Sequence, residues 1–378
     1  MKKKVEYLLV GVLIGIILGT AEIVFGQFQR QKPSASEMAT FPKDTLLLKD
    51  FAPVSCLATP DHTPKKAKFP AIDAHIHIGL MNRGLSVGDQ VKIMDACGVQ
   101  TLVNVNGLSP QDIIKFNEIT SSYPGRFITY TRLDWKNLMD PNFAEYAAKE
   151  LEEAKKAGAK GIGEIVEKGE GFGRISGVHC NHKNLKPVWD KCGELGLVVS
   201  LHVGDPVSFY RPLDRFNERW DELILVPNFL RYGKDIPGFN EMIEMCNETL
   251  KNHPKTIFIC CHHGNYAENL AYVGEIFDKY PNFYVDMSER LGELGRQPFT
   301  ARKHFIKYQD RIVFGTDRSV SEETFRIHWR FFETEDEYFK YRLGSFGAQG
   351  RWGCYGINLP DEVLEKVYNK NFKKLVKF

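Results

Sequence analysis

The chain has 378 residues, 43% of them hydrophobic, and its 50 Lys and Arg nearly balance its 48 Asp and Glu, for a formal net charge of +2. This length suits one α/β barrel with insertions. The near-neutral charge argues against nucleic acid as the main partner, because phosphate binding calls for a strong basic bias. The absence of a second long apolar run excludes a protein integrated in a membrane through several spans.

The N-terminus carries a short apolar segment behind a cluster of lysines. Lys2, Lys3 and Lys4 precede an uncharged run over residues 7–21, which is typical of a secretory signal peptide and is shorter than the ~20 residues of a spanning helix. No clean cleavage motif follows, so an uncleaved anchor stays open. We predict a signal peptide or signal anchor over residues 1–26. The protein would then be exported to the periplasm or the exterior, or anchored by this segment alone.

Residues 27–69 are rich in Pro, Ser, Thr and Lys and show little periodicity, which predicts a linker followed by an irregular arm. The chain contains 8 Cys, none in a C-x-x-C spacing. Because most lie in apolar runs of a chain too long to need covalent cross-links, we interpret them as small buried hydrophobic residues.

From residue 70 onward, short apolar runs alternate with amphipathic stretches, as in a parallel α/β architecture. Eight such runs lie near residues 70, 101, 126, 161, 197, 256, 282 and 311. Asp140-Pro141 predicts the start of one intervening helix and Gly158 its end. Eight strand–helix units favour a (β/α)8 TIM barrel over residues 70–378. No G-x-G-x-x-G follows any run, which disfavours a dinucleotide-binding sheet.

Two connections are unusually long. One spans residues 202–255, between the fifth and sixth strands, and the other spans residues 319–359, after the eighth strand. Both leave the carboxyl ends of strands, where a barrel builds its active site. We therefore predict that these inserted loops form lids or substrate walls.

Polar residues interrupt the first strand at alternate positions. Asp73, His75 and His77 alternate with Ala74 and Ile76. Because side chains two residues apart on a strand share a face, the two imidazoles can bind one cation together. A lone strand histidine is more often a satisfied core residue, but a pair with this spacing favours a metal ligand set.

The same feature recurs at the ends of other strands: a metal-competent side chain closes the fourth, fifth, sixth and eighth runs. These residues are Glu164, His202, His262, His263 and Asp317. Charged groups are rarely buried without a partner, so a shared divalent cation explains all of them at once. Imidazole and carboxylate ligands favour Zn²⁺, with Mn²⁺ or Fe²⁺ as alternatives.

These segments resemble the amidohydrolase superfamily, in particular its amidohydrolase-2 branch, which also holds the aminocarboxymuconate-semialdehyde-decarboxylase-like enzymes. The matching segments are residues 72–79, 201–206, 261–265, 313–317 and 359–375. The resemblance implies that His75 and His77 ligate a divalent metal, and that His202 and Asp317 complete the site. It also implies that His262 is a catalytic or substrate-polarising residue. His263 occupies the intervening position and is given a structural role.

Glu164 has two interpretations. Within the superfamily, a glutamate near this position either bridges two metals or forms hydrogen bonds to the ligands of one metal. Glu164 is therefore retained as a candidate ligand, with a hydrogen-bonding carboxylate as the alternative, and one or two ions remain open.

The charges at the site suggest a mechanism. A metal-bound water is activated near neutral pH, Asp317 takes its proton and returns it to a leaving group, and His262 stabilises the developing oxyanion. We predict a metal-dependent hydrolase of an ester, lactone or amide bond in a small molecule. Alternatives are a metal-dependent decarboxylase (carboxy-lyase) of an unsaturated or aromatic carboxylic acid, and a non-catalytic metal-binding scaffold. A homodimer is also open.

Four arginines in the loops after strands five and seven are candidates for pairing with a substrate carboxylate. They are Arg211, Arg215, Arg290 and Arg296. For each taken alone, an exposed or ion-paired surface arginine is the favoured interpretation.

Overall fold

The computed structural model describes residues 46–48, 51, 53–79, 84–341 and 349–378. The chain divides into two compact units, residues 1–56 and 57–378, and every strand and helix below belongs to the second. The predicted boundary between residues 69 and 70 stays a prediction. The predicted signal segment, residues 1–26, lies outside the described residues.

The prediction of an exported or membrane-anchored protein is contradicted. Within the described part of the chain, no helix is long and apolar enough to cross a membrane. The apolar run at residues 7–21, on which the prediction depended, lies outside the described residues. The localisation prediction is withdrawn.

Eight parallel strands form the barrel, each paired with the next in chain order. They are β1 Ala71–Ile76, β2 Val99–Leu108, β3 Phe127–Thr131, β4 Gly161–Glu167, β5 Val198–Val203, β6 Phe258–Cys260, β7 Phe283–Asp286 and β8 Ile312–Val313. Hydrogen bonds from Ala74 N to Phe314 O (2.9 Å) and from Asp317 N to His75 O (2.8 Å) join the first strand to the segment after the last. The predicted TIM barrel is confirmed.

Helices lie between and after the strands. They are α1 Val87–Cys97, α2 Pro110–Thr120, α3 Phe143–Ala157, α4 Lys186–Leu195, α5 Trp220–Leu225, α6 Phe239–Asn252, α7 Leu270–Lys279, α8 Leu291–Leu294, α9 Pro298–Lys307, α10 Glu322–Glu333, α11 Asp361–Glu365 and α12 Asn371–Leu375, with a π-helical turn over Lys366–Lys370 before the last. Helix α3 begins later than predicted, because the Asp140 carboxylate accepts a hydrogen bond from Asn142 N and holds a turn there. It ends at Gly158 in the left-handed conformation, as predicted.

Two apolar layers hold the barrel. One fills the space between strands and helices, and includes the fully buried Trp189 and Trp329. The other draws on seven of the eight strands, and Phe372 and Val376 of the C-terminal segment pack against it. Side chains from so many strands of one ring can meet only inside the barrel. This second layer therefore fills the barrel interior with apolar groups. Polar residues are left for the carboxyl ends of the strands.

Candidate metal centre

His75, on β1, and His77, directly after it, are held by their Nδ1 atoms. His75 is buried, with Nδ1 2.9 Å from Asp286 Oδ2, and His77 Nδ1 lies 2.7 Å from Asn106 Oδ1. Because both oxygens are acceptors, each Nδ1 carries a ring proton. Nε2 of each imidazole is therefore the nitrogen that would ligate a metal, in exchange for the proton it otherwise holds.

Glu164, on β4, lies at the centre of the site. Its Oε2 is 3.2 Å from His77 Nε2, and its Oε1 is 3.8 Å from His75 Nε2. The same Oε1 lies 2.6 Å from His202 Nδ1 and 3.6 Å from His262 Nε2. One carboxylate thus lies within 4 Å of His75, His77, His202 and His262.

The backbone before Glu164 requires glycine. Gly163 has a φ of +123°, and a Cβ there would lie 2.5 Å from Ser200 O on the neighbouring strand β5. Only a residue without a side chain allows this close approach without strain. The glycine therefore lets β4 pass close to β5 and present the Glu164 side chain to the site.

Asp317 enters from the segment after β8. Its Oδ1 lies 3.1 Å from His77 Nε2 and 3.7 Å from His75 Nε2. Its φ of +54° is the left-handed conformation, which Asp adopts more readily than most residues. Its side chain is 24% exposed, so this carboxylate faces both the histidines and the cavity.

His262 and His263 lie in the turn Cys261–Gly264 after β6, both in the left-handed conformation. His262 Nε2 points into the site, 3.0 Å from His202 Nδ1 and 4.0 Å from Asp317 Oδ2. His263 points the other way and stacks on Phe305, with ring centroids 5.6 Å apart. The two neighbouring histidines therefore lie in different environments.

Metal-competent atoms within 4.8 Å of one another form overlapping sets among the described residues. One set is His75, His77 and Glu164, and a second is Glu164, His202 and His262. A third set, His75 with Cys261 and Asp286, lies behind the first. The structure brings together every metal-site residue that the sequence predicts, around Glu164.

Asp73, which shares the first strand with His75, has a different environment. Its Oδ2 accepts from Thr316 Oγ1 at 2.6 Å, and its Oδ1 accepts from Thr316 N at 3.0 Å. Burial raises the pKa of its carboxyl to about 7 against these hydrogen bonds. Asp73 thus braces β1 against the segment after β8.

Two positioning residues escaped the sequence analysis. Asp286 ends β7, where its Oδ2 contacts His75 Nδ1 and its Oδ1 accepts from His262 N at 3.0 Å. Asn106 contacts His77 from β2. Asp286 is a carboxylate at the end of a strand, which is the same signal that identified Glu164 and Asp317. The sequence pattern could therefore have identified it as well.

Opposite charges dominate the electrostatics of the site. Burial lowers the pKa of His77, but its hydrogen bonds to Asp317 and Glu164 outweigh this and raise the pKa to about 9. Burial raises the pKa of Glu164, yet the charges of His202 and His75 hold it well below its usual range. The carboxylates thus draw positive charge onto the imidazoles. A metal cation competes with protons for the same atoms, as is general for metal sites.

A cavity of about 590 Å³ opens beside these residues. Its lining includes His202, His262 and Asp317, and both long connections contribute to its walls. Phe209 and Phe229 come from the connection after β5, and Ile327 and Tyr341 from the connection after β8. This volume suits a small molecule.

The four candidate arginines differ in their surroundings. Arg211 and Arg215 are exposed, and Arg296 pairs with Glu218 at 2.7 Å. Arg290 is buried and lines the cavity. The favoured interpretation as an exposed or paired side chain therefore describes three of the four and is wrong for Arg290.

The family model described as Amidohydrolase (Amidohydro_2) matches residues 116–378, more than half of the chain. The chain belongs to this amidohydrolase family, and the predicted membership is confirmed. The matched range contains Glu164, His202, His262 and Asp317, whereas His75 and His77 precede it. Membership supports a metal-dependent enzyme that acts on a small molecule.

Several solved structures are similar to this chain at low sequence identity. 2,6-Dihydroxybenzoate decarboxylase from Rhizobium is 15% identical with a TM-score of 0.49, covering 81% of this chain and 98% of its own. An amidohydrolase from Burkholderia multivorans with bound zinc is 12% identical, with a TM-score of 0.48 and coverage of 81% and 98%. A manganese complex of 5-carboxyvanillate decarboxylase from Novosphingobium aromaticivorans is 13% identical, with a TM-score of 0.47 and coverage of 84% and 100%. None of the curated proteins compared matches the sequence.

Proposed function

We propose that the protein is a metal-dependent hydrolase that cleaves an ester, lactone or amide bond of a small molecule. The observation that carries the proposal is the convergence of four donor groups from three segments of the barrel. Nε2 atoms of His75 and His77 lie 3.1–3.8 Å from carboxylate oxygens of Glu164 and Asp317.

These residues fit a divalent cation. Ligands about 2.1 Å from a tetrahedral ion are about 3.4 Å from one another, which the observed separations bracket. Nε2 of His75 is also buried without a hydrogen-bond partner among the described residues, a costly state that a metal bond removes. His75, His77, Glu164 and Asp317 would hold the ion, and His202 would complete the set. The mixture of nitrogen and oxygen donors favours Zn²⁺, with Mn²⁺ as the alternative.

A divalent cation bound there would supply Lewis acidity, which activates water near neutral pH and polarises a substrate oxygen. The protein supplies the proton transfers. Asp317 presents a carboxylate to the cavity, where it accepts a proton from the attacking water and delivers it to the leaving group.

The hydrogen bonds of His262 support a role other than the predicted oxyanion stabiliser. Its Nδ1 lies 3.0 Å from the carbonyl oxygen of Ser288 and 3.0 Å from Ser288 Oγ, whose own proton goes to Asp286 Oδ1 at 2.6 Å. Both neighbours act as acceptors, so Nδ1 carries the ring proton and Nε2 presents a lone pair. We propose that His262 accepts a proton or a hydrogen bond beside Asp317.

This arrangement supports hydrolysis over decarboxylation. Hydrolysis begins with removal of a proton from water, and both Asp317 and neutral His262 present acceptor atoms for it. Decarboxylation instead needs a donor for the developing carbanion. The acceptor character of His262 Nε2 therefore supports the hydrolase.

The test is isotopic. Full-chain protein reconstituted with Zn²⁺ or Mn²⁺ is incubated in H₂¹⁸O with a panel of esters, lactones and amides, and separately with unsaturated and aromatic carboxylic acids. We expect one ¹⁸O atom in the acid product, lost in Asp317→Asn and kept in the control His263→Phe. Release of CO₂ without ¹⁸O incorporation would replace the hydrolase with a decarboxylase. Metal-loaded, folded protein that turns over nothing in either panel would favour the binding scaffold.

A further inference from the structure

Arg290 is a buried cation with free hydrogen-bonding capacity at the cavity. It follows β7, is 5% exposed and lines the cavity together with His262. Its guanidinium donates to Asn265 Oδ1 at 3.0 Å and to its neighbour's backbone oxygen, Glu289 O, at 3.1 Å. Its Nε is buried without a hydrogen-bond partner in the described part of the chain. No described Asp or Glu lies within ion-pair distance of it, although its charge counters burial and lowers the pKa of the nearby buried carboxyls of Glu268 and Glu293.

The other two arginines of the cavity are already neutralised. Arg219 is held between Glu222 and Glu293, and Arg318 pairs with Glu289 at 2.6 Å. Both guanidiniums are thus occupied by carboxylates of the protein. Arg290 alone among the described arginines of this cavity bonds only to neutral oxygens, so it has donors left for an anion from outside.

The fixed position of Arg290 relates it to the reacting groups. Asn265, which accepts from its guanidinium, closes the turn that carries His262 and donates to Val203 O, next to His202. Ser288, two residues before Arg290, contacts His262 Nδ1. A group bound by Arg290 is therefore held by the same backbone that positions the proton acceptor.

A carboxylate is the anion that best fits these surroundings. The guanidinium fork matches a carboxylate in two parallel hydrogen bonds, and burial strengthens such charged bonds. One guanidinium balances one negative charge, whereas a phosphate monoester carries close to two, so a carboxylate matches Arg290 better. Phe209, Phe229 and Ile327 of the cavity lining provide an apolar wall for the rest of the ligand.

We propose that Arg290 binds a carboxylate of the substrate, and that the enzyme acts on small monocarboxylates with an apolar or aromatic body. The carboxylate held by Arg290 is separate from the bond that is broken. This inference rests on the proposed hydrolase site, because it assigns the substrate of that site.

The test is calorimetric titration of metal-loaded, full-chain protein with benzoate, benzamide and phenyl phosphate. Arg290→Gln is compared with Arg290→Lys and with Arg211→Gln, an exposed arginine outside the cavity. We expect Arg290→Gln to weaken benzoate binding about ten- to a hundredfold, the usual effect of a charged hydrogen bond. We expect Arg290→Lys to recover part of it and Arg211→Gln to change nothing. Benzamide binding should be equal in wild type and Arg290→Gln.

The outcomes separate this inference from the proposed function. Equal benzoate affinity in wild type and Arg290→Gln, no saturable benzoate binding by wild type, or tighter binding of phenyl phosphate than of benzoate would each overturn the role of Arg290. None of these results bears on hydrolysis, which the ¹⁸O experiment decides. Metal content and thermal unfolding of each variant show whether a lost affinity comes from the side chain or from the fold.

Discussion

Two groups of buried histidines have opposite environments in this barrel. At the carboxyl ends of the strands, His75, His77, His202 and His262 surround the Glu164 carboxylate. In the layer between strands and helices, His263 and His304 pack on each other and on Phe305 and Phe277, and His328 packs on Phe314. All except His77, whose side chain is 20% exposed, are buried, so burial alone does not mark the functional histidines.

The difference lies in the charged neighbours. Burial lowers the pKa of His75, but the charge of Asp286 and other groups raises it well above its usual value. Burial lowers the pKa of His304 to about 4, with Lys307 adding to the effect, and lowers that of His328 to about 3, with Arg318 adding. His75 and His77 therefore attract protons or cations, whereas the second group stays neutral. Carboxylates, rather than imidazoles, therefore define the candidate site.

The largest expected effect comes from removing the central carboxylate charge. Glu164→Gln leaves the histidines without the group that all four contact, so metal affinity should fall by more than the ~100-fold upper end seen for outer-sphere partners. Competition titration with a chromogenic chelator measures this. A loss of tenfold or less would show that Glu164 is not the centre of the site.

Asp286→Asn should have the next largest effect. The change keeps the shape of the residue but removes the charge that fixes the His75 tautomer, so metal affinity should fall about 10–100-fold. The same titration applies, with circular dichroism confirming that the variant is folded. An affinity equal to wild type would mean that Asp286 only supports the turn at residues 261–264.

The second group of histidines should appear in the pH dependence of stability. The pKa of His304 is lowered to about 4 in the folded state from 6.5, so its stabilising effect is complete above pH 6.5 and is lost as the pH falls toward 4. Each pH unit in this window removes roughly 1 kcal/mol. Urea unfolding from pH 7 to 4.5 should therefore show a shallower decline in His304→Gln than in wild type. Parallel curves would contradict a neutral, buried His304.

The smallest effect is expected at His263. Both of its ring nitrogens are buried without partners among the described residues, and its ring stacks on Phe305. His263→Phe is close in shape, so the free energy of unfolding should change by less than about 1.5 kcal/mol and the metal content not at all. Loss of metal in this variant would contradict the separation, because it would place His263 with the histidines of the metal site.

The sequence predicted the fold better than the contacts within the site. Apolar runs and their flanking signals are local, so all eight strands were found in order. The pairing of His75 with Asp286 joins residues 211 positions apart, which no local pattern reveals. The lack of an ion-pair partner for Arg290 among the described residues was equally invisible, because it depends on three-dimensional neighbours. The predicted helix start at Pro141 was wrong by two residues. A local turn, in which the Asp140 carboxylate accepts a hydrogen bond from Asn142 N, precedes the helix at Phe143.

Metal stoichiometry tests the central claim most directly. Full-chain wild type, His75→Ala and the control His304→Gln are reconstituted with Zn²⁺ or Mn²⁺, passed over a desalting column and measured by inductively coupled plasma mass spectrometry. The account predicts at least about one ion per chain in wild type and His304→Gln, and a loss of metal in His75→Ala. Folded wild type without bound metal, or His75→Ala with the wild-type content, would contradict a metal centre at the end of this barrel.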